Sequence, residues 1–150
     1  MSAFIRPIEE GDIEAVRRQM FAHISPAALA SYLTSHPAEA ARTEKILLGH
    51  EGICLVAEQP GKIIGFILGV VAPKVAPEIR YAVIENLRVE PEYRRRGVGS
   101  QLLEQFRRQG ISQGATRLSV DVSPRNESAI NFYRRFGLAP STLTLESNII

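Results

Sequence analysis

The sequence has little of several residue types on which whole classes of protein depend. Its 150 residues include one cysteine, three histidines and no tryptophan. A lone cysteine excludes an internal disulfide and fits a reducing compartment, and the histidines are too widely spread for the ligand spacing of a zinc site. The cysteine, Cys54, lies in the apolar segment ICLVA, where a small buried hydrophobe is expected rather than a reactive thiol. We therefore expect neither a metal site nor thiol chemistry.

A strong charge of one sign and a long apolar run are also absent from the sequence. The formal net charge is only +2, so the composition does not indicate a nucleic-acid partner. The longest nearly apolar run, residues 63–72, is much shorter than the roughly 20 residues that a membrane helix needs. The first residues do not have the pattern of a secretory signal. We expect one domain over residues 1–150, in the cytoplasm and without a membrane partner.

Hydrophobic periodicity predicts a mixture of helices and strands. Asp12 and Ser25-Pro26 are candidate helix starts, and a third helix is expected near residues 38–48. Strands are predicted at residues 4–8, 53–57, 63–71, 79–89, 118–122 and 142–145, and further helices at residues 98–113 and 126–136. A helical crossover makes the fourth and fifth strands parallel. The predicted fold class is α/β, a single-domain mixed sheet with an antiparallel N-terminal meander and two parallel central strands, flanked by helices.

The segment at residues 84–108 combines an apolar strand, an arginine run and a helix that opens at two glycines. Such a helix leaves backbone N–H groups without intrahelical partners, and these groups bind anions together with the helix dipole. Gly97 and Gly99 lack a Cβ, so a phosphate can approach the backbone. The three arginines at 94–96 add guanidinium groups that suit phosphate geometry. The segment predicts a diphosphate site, with a solvated arginine run as the alternative.

The same segment distinguishes between known phosphate motifs. A Walker loop ends in Gly-Lys-Ser/Thr, whereas Gly99 is followed here by Ser100-Gln101. A dinucleotide fingerprint needs a third glycine where this sequence has Leu102. Arg94-x-x-Gly97-x-Gly99, preceded by the strand residues Asn86-Leu87-Arg88-Val89, instead resembles the acyl-CoA-binding motif of the GNAT superfamily of N-acetyltransferases.

A second motif adds to this resemblance. Asn126-x-x-Ala129-x-x-Phe132-Tyr133-x-x-Phe136-Gly137-Leu138 is similar to the last helix of the family. Residues 53–138 resemble the family well, and the residues before them only in the order of their elements. The resemblance implies a GNAT-like fold in which the two parallel central strands splay apart around acetyl-CoA.

The resemblance also implies which residues bind acetyl-CoA. Backbone groups of Leu87, Arg88 and Val89 would pair with the pantetheine arm like an added strand, and the Val89 N–H would polarise the thioester carbonyl. The remaining implied cofactor-binding residues are Arg94, Arg95, Arg96, Gly97, Val98, Gly99, Ser100 and Asn126. Asn126 is in addition a candidate helix cap, which is compatible with ligand contact.

Transfer to an amine requires a general base. An alkyl ammonium has a pKa of about 10.4 and must lose a proton before it attacks, and a carboxylate can accept that proton directly or through water. Glu85 is the candidate because it stands in an otherwise apolar strand segment beside the expected cofactor. The alternative is that a bulge or strand edge turns Glu85 to solvent, or that Glu85 pairs with an arginine.

The leaving thiolate requires a proton donor. Tyr133 matches the family's position for this acid, and a phenol can donate a proton to a thiolate. Its alternative role is that of a core aromatic, because it lies in an apolar helical stripe. The implied function is acetyl transfer from acetyl-CoA to a primary amine in a ternary complex. An acyl-CoA-binding regulatory domain without turnover is the alternative.

The C-terminus departs from the family pattern. Family members commonly have two strands after the last helix, and residues 138–150 leave room for only one. A missing strand leaves an exposed sheet edge, and such edges pair with other chains. We therefore expect a homodimer in which C-terminal strands pack near or against each other. Residues 20–50 are expected to shape the acceptor pocket, but they do not identify the amine.

Overall fold

The computed structural model describes residues 3–49 and 51–149, and the chain divides into two compact units, Met1–Val120 and Asp121–Ile150. The strands are β1 (Phe4–Pro7), β2 (Ile53–Gln59), β3 (Lys62–Val71), β4 (Tyr81–Val89) and β5 (Arg117–Val120). The helices are α1 (Ile13–Met20), α2 (Pro26–Ser35), α3 (Pro37–Leu47), α4 (Val98–Ser112) and α5 (Glu127–Arg135), with short 3-10 helices at Glu10–Asp12 and Pro91–Tyr93. A single domain over residues 1–150 stays a prediction.

The first unit is built on a five-stranded sheet in the order β1-β2-β3-β4-β5. Strands β1 to β4 pair antiparallel, and β5 pairs parallel to β4. Helix α4 connects the two parallel strands, as a crossover connection requires. The topology confirms the predicted α/β class with an antiparallel meander and two parallel strands.

One face of the sheet packs against α1 and α3. Alternate residues of a strand point to opposite faces, and the residues on this face form a single buried cluster with the two helices. The cluster contains Val16, Met20, Ile46, Leu47, Cys54, Val56, Phe66 and Leu68. Helices α1 and α3 are therefore anchored to the sheet mainly by apolar burial, which contributes about 1.5–3 kcal/mol for each fully buried large side chain.

Helix α4 covers the opposite face with a buried stripe of Leu102, Leu103 and Phe106. The helix approaches the sheet closely at Gly69 of β3. A Cβ at Gly69 would lie 2.7 Å from a ring carbon of Phe106 and 2.1 Å from the carbonyl oxygen of Val83. Only glycine fits there, and the close contact fixes the position of α4 over β3 and β4.

The predicted capping role of Asp12 is wrong. Asp12 immediately precedes α1, but its side chain makes no hydrogen bond that caps this helix. Its carboxylate instead accepts hydrogen bonds from two nitrogens of Arg6, at 2.6 and 3.0 Å, and from the Glu9 N–H at 2.8 Å. A charged, two-nitrogen donor binds a carboxylate more strongly than a neutral N–H does. Ser25 does cap α2 as predicted, accepting from the Ala28 N–H at 3.1 Å.

The predicted strand at residues 142–145 is also wrong, because the structure places no helix or strand within residues 138–149. Leu143 and Leu145 alternate with threonines, which favours a strand, yet they are 79% and 84% exposed. A strand depends on a neighbouring strand for its backbone hydrogen bonds. The alternating pattern alone does not provide that partner.

Candidate functional site

The parallel pairing of β4 and β5 ends at Ile84 opposite Val120. Strand β4 continues to Val89, so residues 86–89 pair with β3 but not with β5. Strand β5 therefore runs beside only the first part of β4. Beyond that point, one edge of β4 has no strand beside it in the described chain.

The register of β4 against β3 determines which backbone groups face this edge. The Glu90 N–H donates to the Ile64 carbonyl oxygen at 2.8 Å, and Phe66 lies opposite Arg88. Because hydrogen-bonded pairs alternate along an antiparallel ladder, Arg88 also turns its backbone groups toward β3. Leu87 and Val89 turn their N–H and C=O groups away from β3. These are two of the residues expected to pair with a pantetheine arm.

A β-bulge places Glu85 at the point where β4 and β5 part. Leu68 lies opposite Asn86 and Gly69 opposite Ile84, so Glu85 has no partner across β3. Bulges bend a strand and redirect a side chain. The Glu85 carboxylate accepts a hydrogen bond from Arg42 of α3, and its side chain is 25% exposed. A bulge and an arginine partner both belong to the alternative to a catalytic role that the sequence left open for Glu85. The role of Glu85 as a base stays a prediction.

The start of α4 has the geometry expected of an anion site. Gly97 precedes the helix with a φ of +81°, and the first helical hydrogen bond runs from the Gln101 N–H to the Gly97 carbonyl at 3.0 Å. The N–H groups of Val98, Gly99 and Ser100 therefore have no acceptor within the helix, and no side chain caps the helix start. Together with the helix dipole they form a site that favours phosphate.

The turn before α4 joins this helix to the end of β4. Arg94 donates a hydrogen bond from its Nε to the carbonyl oxygen of Val89 at 2.9 Å. Arg95 has a φ of +63°, a left-handed conformation that is uncommon outside glycine. The turn is therefore a defined structure, and its arginines are exposed around the helix start.

The structure adds Tyr93 and Lys62 to the residues predicted from the sequence. The Arg96 guanidinium carbon lies 5.5 Å and the Lys62 Nζ 5.4 Å from the centre of the Tyr93 ring. Cation–π contacts at these distances hold both cations beside the turn. Tyr93 could have been identified from the sequence, because it is an aromatic residue directly before an arginine run. Lys62 lies far from that run in the sequence, and no local pattern indicates its role.

The second unit carries the other two predicted residues, Asn126 and Tyr133. Asn126 caps α5, accepting a hydrogen bond from the Ala129 N–H at 3.1 Å. Tyr133 is buried, and its ring packs edge-on against Phe132 with centroids 5.1 Å apart. Its hydroxyl makes no hydrogen bond to another described residue. Burial raises the pKa of Tyr133, so the phenol keeps its proton at neutral pH and has a proton to donate.

The described residues contain neither a metal cluster nor a membrane-spanning helix. No group of three or more histidine, cysteine, aspartate or glutamate side chains within residues 3–49 and 51–149 could hold a metal ion. In the same residues, no helix has both the length and the apolar character required to cross a membrane.

Comparison with known proteins gives both a family and structural neighbours. The model of the acetyltransferase (GNAT) family matches residues 17–138. The L-2,4-diaminobutyric acid acetyltransferase of Nocardia farcinica is 29% identical over 82 residues, which are 55% of this chain and 41% of that protein. The chain thus spans about two fifths of the length of this curated relative.

Solved structures resemble almost the whole chain. AAC(6')-Iy in complex with the bisubstrate analog CoA-S-monomethyl-acetylneamine superposes with a TM-score of 0.76 and 21% identity, over 99% of this chain and 98% of that chain. A transcriptional regulator from Bacillus halodurans superposes with a TM-score of 0.75 and 21% identity, over 98% and 99% of the two chains. At these identities the likeness shows the fold.

The match to the family model covers most of the sequence and includes both motifs, at the start of α4 and along α5. It confirms the family predicted from those motifs, and with it the predicted enzyme class. The chain therefore belongs to the GNAT family of acetyltransferases, enzymes whose acyl donor is acetyl-CoA.

Proposed function

We propose that the chain transfers the acetyl group of acetyl-CoA to a primary amine by direct attack in a ternary complex. The observation that carries the proposal is the continuity of β4, its turn and α4. One segment presents an unpaired strand edge at residues 85–89 and then a helix start with free N–H groups at Val98, Gly99 and Ser100. An extended, amide-containing arm that ends in a diphosphate matches those two features in that order.

Each feature binds a different part of the donor. The N–H and C=O groups of Leu87 and the C=O group of Val89 would pair with the amides of the pantetheine arm, as in strand addition. The N–H groups at the start of α4 would hold the diphosphate, and the surrounding cations, Arg96 and Lys62 among them, would add charge attraction. Asn126, which caps α5, would contact the arm or its thiol end.

The chain's own groups then have distinct roles in the transfer. Glu85, directly or through water, accepts a proton from the ammonium, and the neutral amine nitrogen forms a bond to the thioester carbonyl carbon. The Val89 N–H stabilises the resulting oxyanion. The carbon–sulfur bond breaks, and Tyr133 donates its proton to the departing thiolate. The nitrogen loses its second proton as the amide forms, and a proton returns to Tyr133 from there by way of solvent. The products are an N-acetyl amine and CoA as the free thiol, and the first proton of the ammonium passes to solvent through Glu85.

The relatives support an amine as the acceptor. The name of the Nocardia relative specifies diaminobutyric acid, and the bisubstrate analog in the AAC(6')-Iy structure is an acetylated neamine linked to CoA. Both acceptors are primary amines, although they differ in size and charge. Acceptor choice in this chain must therefore come from its own residues.

The Arg42–Glu85 contact favours one alternative, an acyl-CoA-binding regulatory domain without turnover. A base that stays paired with a guanidinium has one fewer lone pair for a substrate proton. The two functions differ in a simple measurement, because a regulatory domain binds acetyl-CoA but releases no CoA when amines are added.

We also propose that the protein is a cytoplasmic homodimer. Leu143, Leu145 and Ile149 are strongly exposed and alternate with polar residues, so the C-terminal segments of two copies could bury them against each other. Light scattering at micromolar concentration tests this assembly, and a monomer would refute it. A cytoplasmic location fits the single free thiol of Cys54.

The test of the proposed function is release of free thiol from acetyl-CoA in the presence of a panel of amines. Cys54 will not interfere, because burial raises its thiol pKa to about 12 and the thiolate is the reactive form. We expect amine-dependent thiol release with at least one class of primary amine. Binding of acetyl-CoA without thiol release for any amine would instead support the regulatory domain.

A further inference from the structure

We propose that the acceptor carries a carboxylate as well as its amine, and that Arg42 binds this carboxylate while Glu85 binds the ammonium group. The inference rests on the proposed function, since it names the class of acceptor for the same transfer. The class is that of amino acids and related aminocarboxylates. A simple diamine or a polycationic amine lacks the group that Arg42 requires.

The first observation is the position of Arg42 on Glu85. Among residues 3–49 and 51–149, Arg42 is the only one that donates a hydrogen bond to the Glu85 carboxylate. Glu85 is the unpaired residue of the bulge, next to the last β4–β5 pair. An ammonium group that binds Glu85 at this point therefore competes with the guanidinium of Arg42 for the carboxylate.

The second observation is that the Arg42–Glu85 pair can be exchanged easily. It joins one nitrogen to one oxygen, and the Arg42 side chain is 54% exposed. The Arg6 guanidinium, in contrast, donates to both Asp12 and Glu58 from three nitrogens, and its side chain is 16% exposed. Exposed pairs with a single contact contribute little to stability. The Arg42 pair thus resembles a site that accepts a ligand more than a structural connection.

Displacement alone would leave Arg42 without a counter-ion. The ammonium and the Arg42 guanidinium would then face each other as like charges beside one carboxylate, and this repulsion weakens the binding of the ammonium. An aminocarboxylate avoids this cost, because its ammonium replaces Arg42 on Glu85 and its carboxylate replaces Glu85 on Arg42. A diamine supplies a second positive charge near Arg42 and is repelled.

The surrounding charges also favour an anionic group on the acceptor. Arg88 lies opposite Phe66, so it projects from the same face of the sheet that packs against α3, and its Nε is buried without a hydrogen-bond partner in the described chain.

The acidic residues of α2 and α3 already have partners. Glu39 accepts from the Tyr32 hydroxyl at 3.1 Å, and Glu44 binds Arg17. No acidic side chain of α2 or α3 is thus left unengaged for a polycation.

The test compares acceptors that differ only in the carboxylate, namely ornithine with putrescine and lysine with cadaverine. We expect the wild type to have a kcat/KM at least about ten times higher for the amino acid of a pair. Arg42→Ala should lower that value by about ten- to a hundredfold, the range of a charge-assisted hydrogen bond. The same variant should leave the value for the diamine unchanged or raise it, because the repelling charge is gone.

Two further variants separate this role from a general loss of charge or of folding. Lys45→Ala removes a positive charge from the same helix, where Lys45 pairs with Glu51 at 3.9 Å. This variant should leave kcat/KM unchanged for both the amino acid and the diamine. Arg42→Gln keeps most of the side-chain length without the charge and should repeat the result of Arg42→Ala. An equal effect of Arg42→Ala on both members of a pair, or a wild-type preference for the diamines, would overturn the proposal.

The outcomes also distinguish this inference from the proposed function. Acetylation of amines without any preference for a carboxylate would contradict the role of Arg42 and leave the acetyltransferase function standing. Failure to acetylate any amine, with acetyl-CoA bound, would contradict the acetyltransferase function itself.

Discussion

The side chain of Arg94 is hydrogen-bonded to the backbone of Val89, with its Nε 2.9 Å from the Val89 carbonyl oxygen. This contact connects the end of β4 to the turn that opens α4. It therefore fixes the strand edge proposed for the pantetheine arm relative to the helix start proposed for the diphosphate. Arg94 acts by position in this arrangement as well as by charge.

Replacing Arg94 tests that connection. Arg94→Ala removes the hydrogen bond to Val89 and a positive charge, and we expect KM for acetyl-CoA to rise by about tenfold. Arg94→Lys keeps the charge without the guanidinium geometry and should give an intermediate value. Arg108→Ala, with the same charge loss at an exposed site further along α4, is the control. Equal KM values for all three variants would exclude a special role for Arg94.

Replacing Gly97 tests whether the start of α4 needs a glycine for stability and for binding of acetyl-CoA. The φ of +81° at Gly97 is unfavourable for a residue with a Cβ, although a Cβ there would meet no atom within 4 Å. Gly97→Ala should therefore lower the free energy of unfolding by about 1 kcal/mol through backbone strain alone, and should weaken acetyl-CoA binding. Chemical denaturation and calorimetric titration measure the two effects. Gly11→Ala is the control, because Gly11 also has open space but no positive φ; equal stability of both variants would contradict this explanation.

The sequence was sufficient to predict the elements whose signals are local. The glycine turn at Gly97 that opens α4, the Asn126 cap of α5 and the Ser25 cap of α2 each have a short-range physical cause, and all three form as expected. The order of strands also followed from periodicity and from the crossover rule. The family motif depends on these same local features, which is why it could be identified from the sequence.

Contacts between distant segments could not be predicted in this way. The bulge at Glu85 depends on a register shift against Leu68 and Gly69, and no short sequence pattern encodes that shift. The partner of Glu85, Arg42, lies 43 residues away in sequence and resembles any exposed helical arginine. Asp12 had a strong local signal for a cap, but Arg6 competed for the same carboxylate. Tertiary interactions prevailed over local preference at each of these positions.

We expect the Arg6–Asp12 contact to make the free energy of unfolding depend on pH. The Arg6 guanidinium lowers the pKa of Asp12 below its ordinary value, so the ionised carboxylate is favoured in the folded chain. The stabilisation is fully present above the unfolded pKa of about 3.9 and is lost as the pH falls through the lower, folded pKa. We expect Asp12→Asn to cost about 2 kcal/mol at neutral pH, and the difference from wild type to shrink below about pH 4.

Urea denaturation at several pH values measures this effect. Glu10→Gln is the matched control, because Glu10 is exposed in the same 3-10 helix and should change stability little at any pH. A difference between Asp12→Asn and wild type that stays constant down to pH values well below 3.9 would show that ionisation of Asp12 is not its cause.

Replacing Tyr133 tests its proposed role as the proton donor to the leaving thiolate. Tyr133→Phe removes only the hydroxyl, so the buried ring and its contact with Phe132 should remain. We expect kcat to fall by about a hundredfold, within the usual range for loss of a general acid, while the Kd for acetyl-CoA stays near the wild-type value. Tyr81→Phe, which removes the hydroxyl of a tyrosine at the start of β4, is the control. Unchanged turnover of Tyr133→Phe would remove this residue from the mechanism.

The most direct test of acetyl transfer at this site uses acetyl-CoA that carries an isotopic label in its acetyl group. The chain is incubated with the labelled donor, with and without an accepted amine, and both protein and amine are analysed by mass spectrometry. Direct transfer predicts that the label moves to the amine and that none accumulates on the protein when the amine is left out. A label that stays on acetyl-CoA with every amine, or that collects on the protein, would contradict direct transfer.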